Sequence, residues 1–140
     1  MYRQIKQRME SGEALAIATI VSTLGSTPRE IGAKMVVNSS GEILGTIGGG
    51  CGEAEVRREA IQSIRTRKPT IVKVELMDDI ESNSSAVCGG VLDTFIDPWW
   101  QEGGSGLCAA LAEELARIIA EGSAAVLATV IKTENIDDVS

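Results

Sequence analysis

The segment Gly45-Thr46-Ile47-Gly48-Gly49-Gly50-Cys51-Gly52-Glu53 sets one thiol among glycines, between a β-prone run and a helical pattern. Glycine lets the backbone take φ > 0 and lets a ligand approach the main chain closely. The first turn of a helix leaves N–H groups unpaired, and its dipole favours anions. A phosphate would fit such a turn. Gly48, Gly49, Gly50, Gly52 and Glu53 are therefore candidate binding residues. A cysteine at a helix start is partly thiolate at neutral pH, which makes Cys51 a candidate nucleophile or metal ligand. The pattern is not a phosphate loop of the Lys-Ser/Thr type. Nor is it a dinucleotide fingerprint, because Glu53 stands where the third glycine belongs. A tight strand-to-helix connection with a small filler cysteine is the plain alternative.

Two further groups could join this chemistry. Gly25-Ser26-Thr27-Pro28-Arg29 follows an apolar run, so it sits at a strand end, a common place for ligand loops. Arg29 can bind an oxyanion bidentately, Ser26 and Thr27 can donate hydrogen bonds, and Lys34 would be a second cation for the same anion. The alternative is a proline turn with a solvated arginine and an exposed strand lysine. Cys88-Gly89-Gly90 echoes the glycine-flanked Cys51. The two thiols could meet as a dithiol, as soft metal ligands, or as a sulfur acceptor and its resolver. Alternatively, Cys88 is a small buried residue before a strand. Cys108 lies on a stripe with Leu111 and Leu115 and reads as core packing. Trp99 and Trp100 read as a packing anchor.

The elements that must hold these residues follow from periodicity. Tyr2, Ile5 and Met9 at helical spacing, with Gly12 as a stop, predict a helix over 2–11. Residues 14–22 read as a strand buried on both faces. Short strands at 34–37 and 42–47 flank the hairpin signal Asn38-Ser39-Ser40-Gly41. Residues 53–65 form an amphipathic helix with Val56, Ala60, Ile61 and Ile64 on one stripe. Residues 71–76 and 91–96 are further strands, with a polar loop at 77–86. Residues 101–105 read as a linker, 107–120 as a third helix and 124–131 as a last apolar strand. The expected class is α/β, a mixed sheet covered by helices, with α+β as the alternative and no Rossmann domain.

Composition narrows the function. The chain has 140 residues, 44 % hydrophobic and 24 % charged, which is ordinary for a globular protein. Its net charge of −7 argues against nucleic acid or acidic lipid as a partner. It has no histidine, which removes the commonest general base and metal ligand. The 3 % aromatic content argues against a base-stacking surface. The apolar runs at 14–21 and 124–131 are far shorter than the ~18–20 residues of a membrane helix. No leader pattern is visible, so the expected location is the cytoplasm.

One repeat stands out. Residues 12–23 align with 122–133: Gly12 with Gly122, Ala18 with Ala128, Thr19 with Thr129, each copy following an amphipathic helix. Low-complexity apolar runs align easily, so a common helix–glycine–strand pattern is one explanation. The other is a second structural unit. Such an arm exposes apolar surface and must join its own sheet or that of a partner chain, which points to a homodimer.

Three segments in order and register resemble the XdhC/CoxI family of accessory factors for xanthine dehydrogenase and carbon-monoxide dehydrogenase maturation. They are Gly25-Ser26-Thr27-Pro28-Arg29 with Gly32-Ala33-Lys34-Met35, then Gly45 to Glu53, then Cys88-Gly89-Gly90. The resemblance covers roughly residues 10–100. It divides the chain into a family-like N-terminal domain at 1–100 and, at 101–140, a linker with a helix–strand arm like residues 2–23. It implies a cytoplasmic protein that binds molybdenum cofactor transiently and supports its maturation and insertion into a xanthine- or carbon-monoxide-dehydrogenase-type molybdoenzyme. A cysteine desulfurase would be a further partner. On this resemblance Cys51 contacts the molybdenum or a transferred sulfur, Arg29 clamps an anion, and no residue is catalytic. The alternatives are a thiol redox or sulfurtransferase domain using Cys51 and Cys88, or a non-catalytic docking module.

Overall fold

The rest of the fold is arranged around β1 (Leu15–Leu24). Leu15, Ala16, Ala18 and Ile20 are fully buried and Ile17 nearly so. A strand covered on both faces reads as a continuous apolar run rather than an alternation, so the central place expected for it is the one it takes. The computed structural model describes residues 1–76, 89–101 and 107–133. The loop expected at 77–86, Cys88, and most of the linker at 101–105 lie outside the described residues.

β1 is joined by β2 (Lys34–Asn38), β3 (Ile43–Gly45), β4 (Thr70–Glu75) and β5 (Val91–Trp99) in one sheet of order β3-β2-β1-β5-β4. The class is the expected one, a sheet covered by helices with no Rossmann unit among the described residues. Its four strand pairings are all antiparallel, where the sequence reading has a mixed sheet. The reason lies in the connections. β2 and β3 form a tight hairpin, which forces antiparallel pairing. Among the described residues the helical crossover is α2 (Gly50–Thr66), which carries the chain from β3 at one edge to β4 at the other. It therefore creates no parallel neighbour.

The hairpin turn is fixed by Asn38. Its Oδ1 accepts from the Ser40 and Glu42 amides at 3.1 and 2.9 Å, and Gly41 takes φ +86°. The Asn38 Nδ2 donates to Glu42 and Glu13, and Arg8 bridges the same two carboxylates.

The sheet has two apolar faces. Ala16, Ala18, Met35, Val37, Leu92 and Ile96 pack under Val56 and Ala60 of α2. On the other face, α1 (Tyr2–Glu10) and α3 (Leu107–Ala120) cover Leu15, Ile17, Val36 and Trp99 through Ile5, Met9 and Ala112. Cys108, Leu111 and Leu115 pack there as their shared stripe implies. Trp99 is the anchor expected, its indole donating to Asp97 at 2.8 Å. No helix among the described residues is long and apolar enough to cross a membrane.

The strand expected at 124–131 does not form. Those residues run without regular secondary structure and are exposed, Val126 at 95 % and Val130 at 75 %. Apolarity marks a segment that needs cover. It does not supply the neighbouring strand whose N–H and C=O groups make a ladder.

Candidate functional site

The three glycine-bearing segments meet at one end of the sheet. β1 and β5 run together as far as the Leu24–Val91 pair, so Gly25 and Gly90 leave the sheet side by side. A Cβ on Gly90 would lie 2.1 Å from the Ser26 carbonyl oxygen, and one on Gly25 would lie 3.1 Å from the Gly89 oxygen. Only glycine allows those backbones to touch. The Leu76 amide closes the same corner by donating to the Gly90 carbonyl at 2.9 Å. The third segment arrives from β3: a Cβ on Gly48, at φ +129°, would lie 2.4 Å from Pro28 Cγ. Pro28 thus bears directly on the turn that starts α2.

Glu53 organises that turn. Its Oε1 accepts from the Thr46 hydroxyl, from the Ile47 amide at 3.1 Å and from the Gly49 amide at 3.0 Å. The Gly48 amide donates to Thr46 Oγ1 at 3.0 Å. A carboxylate in the first helical turn also suits the dipole. Partial burial pushes the Glu53 carboxyl up. The hydrogen bonds from Thr46, Gly49 and Ile47, with the Gly48 amide nearby, outweigh this and hold it below the usual carboxylate range. Glu53 therefore faces the turn from inside, and the amides of Ile47, Gly48 and Gly49 are already engaged. The first-turn amides of Gly50, Cys51 and Gly52 have no acceptor within the helix. A Cβ on Gly49 or Gly50 would meet nothing within 4 Å, so the backbone is open to an approaching group. Gly52 packs inward, its Cβ position 3.1 Å from Val74 Cγ1.

The other candidate residues divide. Ser26, Thr27 and Arg29 lie on the loop that meets Gly90 and Gly48. The Thr27 hydroxyl donates to the Arg29 carbonyl at 3.0 Å, shaping the loop and leaving the Arg29 side chain exposed. Lys34 is elsewhere. It pairs with Thr19 on the face away from α2 and donates to the Thr19 hydroxyl at 2.8 Å. Burial pulls its ammonium down. It lines a cleft of about 350 Å³ with Ile17, Phe95, Asp97 and Trp99. Cys51 belongs to α2 by its backbone, and its side chain, like all of Cys88, lies outside what is described. Sequence reasoning missed the roles of Thr46 and Pro28. Both stand inside the quoted motifs, but no local pattern marks either role, since Glu53 lies four residues past Gly49 and outside the capping-box spacing.

The decisive comparison is with protein families: residues 8–75 match the XdhC and CoxI family. The matched segment is just under half of the chain. This segment contains the Gly25–Arg29 loop, the hairpin and the whole glycine turn. Among individual proteins, the chain is 40 % identical over 81 residues to the uncharacterized protein YqeB of Escherichia coli K12, an alignment covering 58 % of this chain and 15 % of YqeB. It is 28 % identical over 96 residues to a probable subunit of xanthine dehydrogenase from Bacillus subtilis 168, covering 67 % of this chain and 29 % of that protein. It is 36 % identical over 56 residues to the molybdenum cofactor insertion chaperone PaoD of Escherichia coli K12, covering 40 % and 18 % respectively. Each match thus spans under a third of the relative's own length. The fold matches a crystal structure of a xanthine dehydrogenase from Bacillus halodurans with a TM-score of 0.61 at 22 % identity, over 86 % of this chain and 34 % of that one.

Proposed function

We propose that this protein is a molybdoenzyme accessory factor that takes molybdenum cofactor as cargo at the glycine turn and passes it to a xanthine-dehydrogenase-type enzyme. One observation carries the reading. The three XdhC/CoxI-like segments, far apart in sequence, converge on one corner and leave open backbone at the start of α2. The family match and the likeness to PaoD support the choice of cargo. The cargo carries a phosphate, a dithiolene and a molybdenum centre. The residues suit such a group: unpaired first-turn amides at Gly50, Cys51 and Gly52 for an anionic oxygen, the exposed Arg29 as a clamp, and a thiol at Cys51 for the metal or its sulfur. Glu53 serves by holding the turn, and Lys34 has no part in this corner. The protein works in the cytoplasm as a homodimer, transfers its cargo to the dehydrogenase and receives sulfur from a cysteine desulfurase.

The test is anaerobic incubation with molybdenum cofactor, gel filtration, then metal and pterin analysis of the protein peak. Stoichiometric cofactor on the wild type and its loss on Cys51→Ala, with the folded circular dichroism spectrum unchanged, is the expected result. Equal retention by the two proteins removes Cys51 from the site. No cofactor on either overturns the carrier reading.

A further inference from the structure

We infer that residues 107–131 are a second copy of the α1–β1 unit, and that the segment 124–131 forms an antiparallel ribbon with the same segment of a second copy of this chain.

The two units end their helices in the same way. After α1, the amides of Ser11, Gly12 and Glu13 donate to the carbonyls of Gln7, Met9 and Arg8, with Gly12 at φ +88°. After α3, the amides of Glu121, Gly122 and Ser123 donate to those of Arg117, Ile119 and Ile118, with Gly122 at φ +68°. Each position is offset by the same interval, and each helix delivers its chain into an apolar segment. The copies also face one another through equivalent sides. α1 packs on α3. Ile17, Thr19 and Val21 of β1 line one cleft together with Leu127, Thr129 and Ile131, their counterparts in the repeat.

The difference lies on the opposite stripe. In β1 this is Ala16, Ala18 and Ile20, all fully buried under α2 and flanked by strands. Its counterpart is Val126, Ala128 and Val130, which is exposed and has no backbone partner among the described residues. An eight-residue apolar segment with open N–H and C=O groups is a strand lacking its neighbour.

A second copy of the same segment fits that place best. Residues 124–131 carry no charge, so self-pairing sets no like charges opposite one another. The free edges of the sheet fit less well: β3 has three residues, and β4 presents the exposed Lys73, a residue that discourages edge pairing. Antiparallel pairing keeps each stripe on its own face when the two-fold axis passes through a residue, and an axis at Ala128, the middle of the exposed stripe, pairs the most of it. Val126 then lies opposite Val130 of the other copy, a favourable β-branched pair. Leu127, Thr129 and Ile131 stay against the sheet, which supports a ribbon too short to stand alone.

The test is light scattering of the full chain during size exclusion, over a wide range of concentration. The wild type should run as a dimer. Val126→Asp with Val130→Asp puts like charges opposite one another and should give a monomer. Because both positions are exposed in the single chain, its circular dichroism should stay that of a folded protein, and its thermal midpoint should lose the concentration dependence that the dimer gives the wild type. In Ala128→Cys the two introduced thiols lie on Cα atoms about 4.5–5.5 Å apart, within the disulfide range. Oxidation should give a 128–128 linked peptide by mass mapping. A monomeric wild type, a dimer indifferent to the Asp pair, or linkage of the introduced thiol only to the native cysteines would overturn the inference. None of these readouts involves cofactor, so failure here and failure of the carrier reading are separate results.

Discussion

At the scale of single residues, the glycine turn depends on Glu53 more than on any glycine. One carboxylate oxygen gathers the Thr46 hydroxyl and two turn amides, and removing it strands those donors. Glu53→Ala should lower stability by about 1 kcal/mol, the low end for orphaned donors because the turn is partly wet. Glu53→Gln, which keeps an acceptor, should cost less. The pH dependence has a definite sign. The folded carboxyl sits below its usual range, so the unfolded state takes up its proton first as pH falls. The contribution is therefore full above the ordinary carboxylate value and lost as pH drops through the folded one. Urea denaturation at decreasing pH should show wild type and Glu53→Gln converging. A gap that stays constant would mean the charge is unimportant. The sequence shows an acid at a helix start, which the dipole explains. That this acid turns back onto Ile47 and Gly49 depends on where the β3 hairpin ends, and local pattern does not encode it.

At the scale of elements, the site is a meeting of two loops and a helix start, held by backbone contact. The pair Gly90 and Ser26 is the tightest of these contacts. Gly90→Ala should force the Gly25–Arg29 loop off the β5 strand, costing roughly 1–3 kcal/mol as overpacking does. It should also weaken cofactor retention. Gly50→Ala should behave differently: its Cβ points into open space, and only the φ of +71° resists it. Comparing chemical denaturation midpoints and bound pterin for the two variants checks this. Equal loss of retention in both would argue that the approach of Gly90 does not shape the site. Most elements are legible because their periodicities are strong, as with Ile5 and Met9 in α1 or Val56 and Ala60 in α2. The start of α2 is less so. Glycines disfavour helix, and only the turn anchored by Glu53 lets the helix begin at Gly50 instead of Glu53. For 124–131 the apolar run is real, but a strand is a relation between two segments, and one sequence shows only one of them.

At the scale of the whole molecule, one sheet separates two apolar clusters, and β1 belongs to both. Leu92 and Ile96 lie in the cluster under α2, Ile5 and Met9 in the cluster between α1, α3 and the sheet. Alternate residues of β1 serve opposite sides, Ala16 and Ala18 the first, Leu15 and Ile17 the second. A loss on one side must therefore be felt on the other through the strand. This argues that the described parts unfold together, including α3, whose Ala112 is buried against the α1 side. Ile5→Ala and Leu92→Ala remove fully or nearly fully buried aliphatic side chains on opposite faces, and each should cost about 2–5 kcal/mol. Their side chains share no partner within a cluster, so the double variant should show the sum of the two losses. Thermal unfolding should stay a single transition in every case, with the calorimetric and van't Hoff enthalpies equal. If Ile5→Ala instead splits the transition, leaving a midpoint near the wild-type value for the α2 side, then α1 and α3 form a separate layer docked on a sheet that folds without them. The glycine corner, which draws on β1, β3, β4, β5 and α2, would then survive loss of that layer.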